Sequence, residues 1–192
     1  MKPETDARIT DTRKKILDLA EALMLSRGFN AFSYQHISAE LGVRNAAIHY
    51  HFPKKSDLGV ALIERYCRRF ERFTQAQAEL APGEQLEKYF ELADRYFGQQ
   101  QICPSGILSA ELQTLPDDMR LQTQAFVALM RGWAADIVRR GRDAGVMHYP
   151  GSAEGMGDVV FAAMQGALQL ARFDQQALQS VKLQIRQLLG CH

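Results

Sequence analysis

The chain has 192 residues, 46% of them hydrophobic and 23% charged, with a formal net charge of +1. This is enough to bury one small and one medium core, and no apolar stretch runs free of charges or Gln for long enough to span a bilayer. The opening MKPETDARIT also lacks the apolar run of a secretory signal, so a cytoplasmic protein without a membrane partner is expected.

Residues 12–29, TRKKILDLAEALMLSRGF, place Ile16, Ala20, Leu23 and Met24 on one stripe of an amphipathic helix, capped by Thr10 or Asp11 and stopped at Gly28. Residues 32–52, FSYQHISAELGVRNAAIHYHF, then read as two short helices about a tight turn. Ser33 supplies an N-cap, Ile37 and Leu41 recur at helical spacing, Gly42 sits where a left-handed residue would close the first helix, and Val43 plugs the turn. Ala46, Ala47 and Ile48 continue the second helix, whose Asn45, His49, Tyr50 and His51 offer donors and aromatic edges that a core helix would not carry so densely. Residues 52–58, FPKKSDL, break the chain and restart it with Lys54 and Lys55 at a helix N-terminus, where free amides attract phosphate. Three helices with a basic flank form a compact reader of DNA. The charge agrees, because residues 1–72 carry 13 Lys or Arg against 9 Asp or Glu, and the remainder 10 against 13.

A fourth helix, from about Lys54 to Glu79, points Leu58, Leu62, Tyr66, Phe70 and Phe73 inward and links head to body. Ala81-Pro82-Gly83 ends it, and a fifth helix runs through 84–100 with Leu86, Tyr89, Phe90, Ala93 and Phe97 as its apolar face. Cys103-Pro104-Ser105 opens a sixth helix that reaches Leu115. Pro116-Asp117-Asp118 caps a seventh through Leu121, Ala125, Leu129, Trp133 and Ile137, closed near Gly145. The last two run from Ser152 to Ala171 and from Asp174 to Leu189. The expected fold is all-α, with about nine helices in two domains: a three-helix helix-turn-helix head over 1–53 and a helical body over 54–192, in which 54–80 is the connecting helix.

Residues 152–173, SAEGMGDVVFAAMQGALQLARF, are apolar nearly all round, and Gly155, Val160, Ala163 and Gly166 stand where a second helix would approach closely. Leu178, Val181, Ile185 and Leu188 form a second stripe. A helix buried on every side in so small a domain needs a partner, and a homodimer is expected.

Thr12-Arg13, Ile16-Leu17, Gly28-Phe29, Ile37, Leu41-Gly42-Val43, Ile48, His51-Phe52 and Lys55 together carry a resemblance: residues 12–58 resemble the DNA-binding domain of the TetR family of bacterial transcriptional regulators. The motifs cover about a quarter of the chain, and the remainder agrees in length and helical character. The resemblance implies an all-helical homodimer whose last two helices meet their copies in a four-helix interface. It also implies that the C-terminal domain binds a small-molecule inducer and thereby controls affinity for a double-stranded DNA operator, which is palindromic because the protein is two-fold. Repression is the family's default. Three positions depart from the family pattern. Arg44 stands where a small hydroxyl residue commonly caps the recognition helix, leaving the cap to Asn45 or to nothing. His49 stands where a phosphate-touching Tyr is common, and Ser56 replaces an acidic residue.

Sorted by role, Ser33, Tyr34, His51, Lys54 and Lys55 are candidates for positioning the DNA backbone, while Gln35, Arg44, Asn45 and Ala47 are candidates for reading bases. Asn and Gln pair bidentately with adenine, Arg with guanine, and an alanine methyl touches that of thymine. Phe52 reads as packing. By resemblance the inducer pocket lies among helices five to eight, with Tyr89, Tyr96, Phe97, Phe126, Met130, Trp133 and Met164 as candidate wall residues. Such a wall favours a flat or hydrophobic molecule over a sugar or phosphate. Cys103, just before Pro104 at a helix start, is a candidate sensor of electrophiles, because free amides stabilise a thiolate there.

Cys67, Cys103 and Cys191 are odd in number and lack metal-ligand spacing, and His49 and His51 diverge on a helix, so no disulfide framework, metal or cofactor is expected. Without a phosphate-cradling glycine loop, a nucleophile elbow or paired carboxylates, no catalysis is expected either. The alternative function is a helical small-molecule binding protein that lacks specific DNA binding.

Overall fold

The computed structural model describes residues 3–191, with side chains from Thr10 onward. Among them the chain forms nine α-helices and one 3₁₀ turn, and no strand. The first helix, α1 (Pro3–Arg27), begins earlier than its apolar stripe predicts. Pro3 opens it, where a missing N–H leaves no bond unmade. Thr10 and Asp11, expected as caps, therefore lie inside the helix, and Asp11 pairs with Lys15 one turn on at 2.7 Å. The helix closes as predicted at Gly28, whose φ of +92° suits only a residue without a Cβ.

Helices α2 (Tyr34–Leu41) and α3 (Asn45–His51) flank the turn at Gly42, which has φ +63°. Val43 continues it, its amide bonded to the Ser38 carbonyl at 3.0 Å. Ile16, Ala20 and Met24 of α1 meet Ile37, Ile48 and Phe52 in a core where none is more than 2% exposed. Truncating one of these large side chains to Ala costs about 2–5 kcal/mol, which is of the order of a small domain's whole stability.

The connecting helix, α4 (Lys55–Ala76), is joined to α1 by Arg65, which reaches Asp18 at 2.7 Å and Glu21 at 2.9 Å, and by Arg69, which also pairs with Glu21. Pro82, expected to end the fourth helix, instead opens α5 (Pro82–Gly98). Next, α6 (Pro104–Ala110) stops short of the predicted Leu115, because the chain tightens into a 3₁₀ turn at Leu112–Thr114 that brings Glu111 and Thr114 against the head. The long α7 (Asp117–Asp143) packs along α8 (Ala153–Leu170). A Cβ on Gly157 would lie 2.5 Å from the Ala135 backbone, so only glycine permits this approach.

The last helix, α9 (Ala177–Leu188), is clipped to α5 by charge: Arg186 makes a two-pronged pair with Glu87 at 2.6 and 2.7 Å, and Lys182 pairs with Asp94. Lys182 is only 2% exposed, so its ammonium depends on that carboxylate.

Candidate DNA interface and interior cavity

Ile48 is the one buried side chain of α3, so the rest of this short helix is presented outward. Arg44, Asn45, His49 and Tyr50 are exposed, as is Gln35 on α2, while Ala47 is half-buried. Arg44 occupies the N-cap position in extended backbone, and its side chain makes no capping bond, which answers the question left by the sequence. Its guanidinium is therefore available for an outside acceptor. At the start of α2 the Ser33 amide donates to His36 Nδ1 at 3.0 Å, so His36 takes the place that Glu holds in the usual reciprocal cap. At the start of α4 the Lys54 amide donates to Asp57 at 2.8 Å. Neither His36 nor Asp57 was singled out from sequence, although their spacing, three residues beyond each cap, carried the signal.

Several residues expected to touch the DNA backbone are turned inward. The buried Tyr34 hydroxyl lies 2.8 Å from the Phe52 carbonyl and 2.7 Å from that of Lys54 and shares its proton between them. Burial, and then the nearby Asp57, push its pKa up to about 12. Lys55 Nζ donates to the Phe29 carbonyl at 2.6 Å and to that of Phe32, and lies over both phenyl rings at 4.4 and 4.5 Å. Burial lowers its pKa, against the opposing pull of Glu111. Tyr34 and Lys55 thus tie the loops of the head together, a role the local sequence could not show because their partners are remote. His51 is half-buried, with its pKa lowered by desolvation and by Arg13, whose guanidinium lies 4.9 Å over the Phe52 ring. His49 Nδ1 is 3.2 Å from the Pro53 carbonyl, which can only accept, so Nδ1 is the donor in this contact and Nε2 is the ring nitrogen it leaves free. Lys54 is exposed and Ser33 half-buried.

Head and body meet at Glu111. Its carboxylate accepts the Phe29 amide at 2.8 Å and the Asn30 amide at 3.3 Å, while the Asn30 side chain donates to Thr114 Oγ1 at 2.7 Å. The other end of α6 begins at Cys103, on the wall of a cavity of about 250 Å³ enclosed by α4, α5, α7 and α8.

Of the residues expected there, Tyr89, Tyr96, Cys103, Phe126, Met130 and Met164 do line the cavity. Phe97 and Trp133 do not. Trp133 stands edge-on to Phe70, Phe73 and Tyr89 and buttresses the wall from behind, and Phe97 is partly buried against the core without lining the cavity. Sequence reasoning missed Tyr66, Arg69, Arg95 and Gln165, the polar part of the lining. Cys103 Sγ is 3.0 Å from Ser105 Oγ and 3.5 Å from the Gln165 amide nitrogen. Tyr89 and Tyr96 are both pushed well above the usual phenol range, first by burial and then by the nearby Cys103.

The outer faces of α8 and α9 carry an apolar surface. Gly155, Gly166 and Leu188 are exposed on it and Ala163 and Val181 half-buried, whereas Val160, Leu178 and Ile185 point into the protomer's own core. The outward apolar residues are instead Val159, Leu170 and Leu183, at 47%, 55% and 51% exposure. No helix among the described residues is long and apolar enough to cross a membrane, and no three His, Cys, Asp or Glu side chains gather as a metal-ligand set.

Comparison with known proteins places these features. The family model described as bacterial regulatory proteins, tetR family, matches residues 16–62. The chain is 27% identical over 168 residues to the HTH-type transcriptional repressor NemR of Escherichia coli, covering 82% of both chains. It is 23% identical over 160 residues to the transcriptional regulator AcuR of Cereibacter sphaeroides, covering 79% of this chain and 72% of that one. Among solved structures, a TetR-family transcriptional regulator from Agrobacterium tumefaciens superposes with a TM-score of 0.89 at 27% identity, over 94% of this chain and 99% of the other.

Proposed function

Since the chain belongs to the tetR family of bacterial regulatory proteins and is a ligand-responsive, DNA-binding transcriptional regulator, we propose how its parts divide that work. The head reads a palindromic operator through α3, with Arg44, Asn45 and Gln35 at base edges and Ala47 against a thymine methyl. Tyr50, His49, Ser33 and Lys54 meet the phosphates. The observation that carries this assignment is the exposure of the polar residues of α3 around a single buried anchor, Ile48. Tyr34, Lys55 and His51 hold the surface in shape from within.

The outward apolar residues of α8 and α9 pair with a second copy, which sets two heads on successive turns of the duplex. An inducer enters the cavity between α4, α5, α7 and α8. Occupancy favours one placement of α6 and hence of Glu111 against the head, and the population moves to a head spacing that no longer fits the operator. Repression relieved by the inducer is the proposed outcome, in the cytoplasm where the operator lies. As in its relatives, the work is binding and not catalysis.

The test is selection of random duplexes by the purified protein at physiological salt. Recovery of a palindrome supports the reading. Recovery of no motif overturns it and leaves a helical small-molecule binder.

A further inference from the structure

The cavity's lining holds two arginines and no Asp or Glu. Arg69 is already answered by Glu21, which is shared with Arg65. Arg95, on the exposed flank of α5, makes no ion pair among the described residues. The wall therefore has one guanidinium's worth of positive charge without a protein counter-ion, and a guanidinium recognises a carboxylate through paired, charge-assisted hydrogen bonds.

Tyr66 adds a second demand. It lines the same cavity at 3% exposure, and its hydroxyl is buried with no hydrogen-bond partner. Buried hydroxyls are almost always bonded, and the adjoining cavity is the space from which an acceptor can reach this one. Between these polar points the wall is flat and soft. The Phe126 ring lies nearly parallel to that of Tyr66, with centroids 6.1 Å apart, and Met130 adds a polarisable sulfur. The cavity's volume of about 250 Å³ suits one or two rings.

Resting on the reading of this cavity as the inducer site, we infer that the inducer is an aromatic monocarboxylate. Its ring system lies along Phe126 and Met130, its carboxylate faces Arg95, and the Tyr66 hydroxyl donates to one of its oxygens. A dianionic phosphate ester would bring a second charge for which the wall has no uncommitted cation. A neutral aromatic would leave Arg95 to water.

The experiment uses the full-length protein and the operator recovered by selection. Benzoate, cinnamate and naphthoate are titrated in parallel with their amides, and binding is read by calorimetry without DNA and by anisotropy of labelled operator with it. The expected result is that at least one acid binds and releases the operator, with its amide weaker by about tenfold or more. Arg95→Gln brings that acid down to the level of its amide, and Tyr66→Phe weakens the acid several-fold. Amides that bind as tightly as the acids, acids indifferent to Arg95→Gln, or no binding by any of the compounds would each overturn the carboxylate assignment while leaving the cavity as the inducer site. A different result overturns the underlying reading: if Ala93→Leu, which fills the cavity, leaves acid binding and operator release unchanged, the site lies elsewhere.

Discussion

The carboxylate of Glu111, in the body, accepts the backbone amide of Phe29, in the head, at 2.8 Å across 82 residues of chain. The same loop is held from its other side by Lys55, which takes the Phe29 and Phe32 carbonyls. The segment after α1 is thus gripped by its donors from Glu111, beyond α6, and by its acceptors from Lys55, at the start of α4. Glu111→Ala should release the donors. Amide hydrogen exchange at Phe29 and Asn30 is expected to accelerate, with a loss of about 1 kcal/mol in denaturant unfolding and a smaller effect of inducer on operator affinity. Unchanged protection at both amides would show that the contact does not hold the loop.

Lys54 and Lys55 are neighbours with different expected phenotypes. Lys54→Ala removes an exposed charge, and the salt dependence of operator binding should become shallower by about one ion with stability unchanged. Lys55→Ala removes a half-buried clasp, so the melting temperature of the head should fall while the salt slope stays as in the unaltered protein. Salt titrations and thermal melts on the two variants separate the roles.

His51 makes the head sensitive to acid. Burial and Arg13 lower its folded pKa below the ordinary 6.5, so the unfolded chain binds the proton first as pH falls. Stability is therefore full above pH 6.5 and declines as the pH drops from there to the lowered folded value, below which this contribution stays lost. Melts across this range should show the decline, and His51→Gln should flatten it. An equal slope in the variant would assign the effect to other groups.

Leu183 lies on the open apolar face at 51% exposure. Leu183→Glu should leave the protomer folded and shift sedimentation toward a monomer at micromolar concentration, with operator affinity falling by about tenfold or more as the second head is lost. A variant that still sediments as a dimer would move the interface to another surface.

Cys103 Sγ stands buried on the cavity wall, while Cys67 and Cys191 are half-buried elsewhere. If electrophiles act at the inducer site, treatment with N-ethylmaleimide releases the unaltered protein from DNA and leaves Cys103→Ser bound. Release of both proteins alike would remove Cys103 from the mechanism.

The head was legible because its determinants are local. Gly42 and Val43 make the turn, and Ile37 and Ile48 fall one helix apart on facing sides. The inward turn of Tyr34 and Lys55 was not legible, because the carbonyls that receive them belong to loops 18 to 26 residues away. On α7, spacing put Trp133 on the apolar face with Phe126 and Met130, but Phe70 and Phe73 of another helix stand between Trp133 and the cavity. On α8, hydrophobicity is nearly uniform around the axis. Val159 and Val160 are chemically alike yet ~100° apart, and only packing decides which one faces out. The arginines of the cavity escaped notice because a charged residue on an amphipathic helix ordinarily belongs to its solvent side.

Helix α5 serves two neighbours with interleaved residues. Tyr89, Ala93 and Tyr96 form part of the cavity wall, while Glu87 and Asp94 hold α9 in register. The two sets share no position, so chemical specificity and the placement of α9 are separately inheritable on a single helix. A lineage can rewrite what the cavity recognises by substitution at 89, 93 and 96 and still leave the proposed dimer face of α9 where it was.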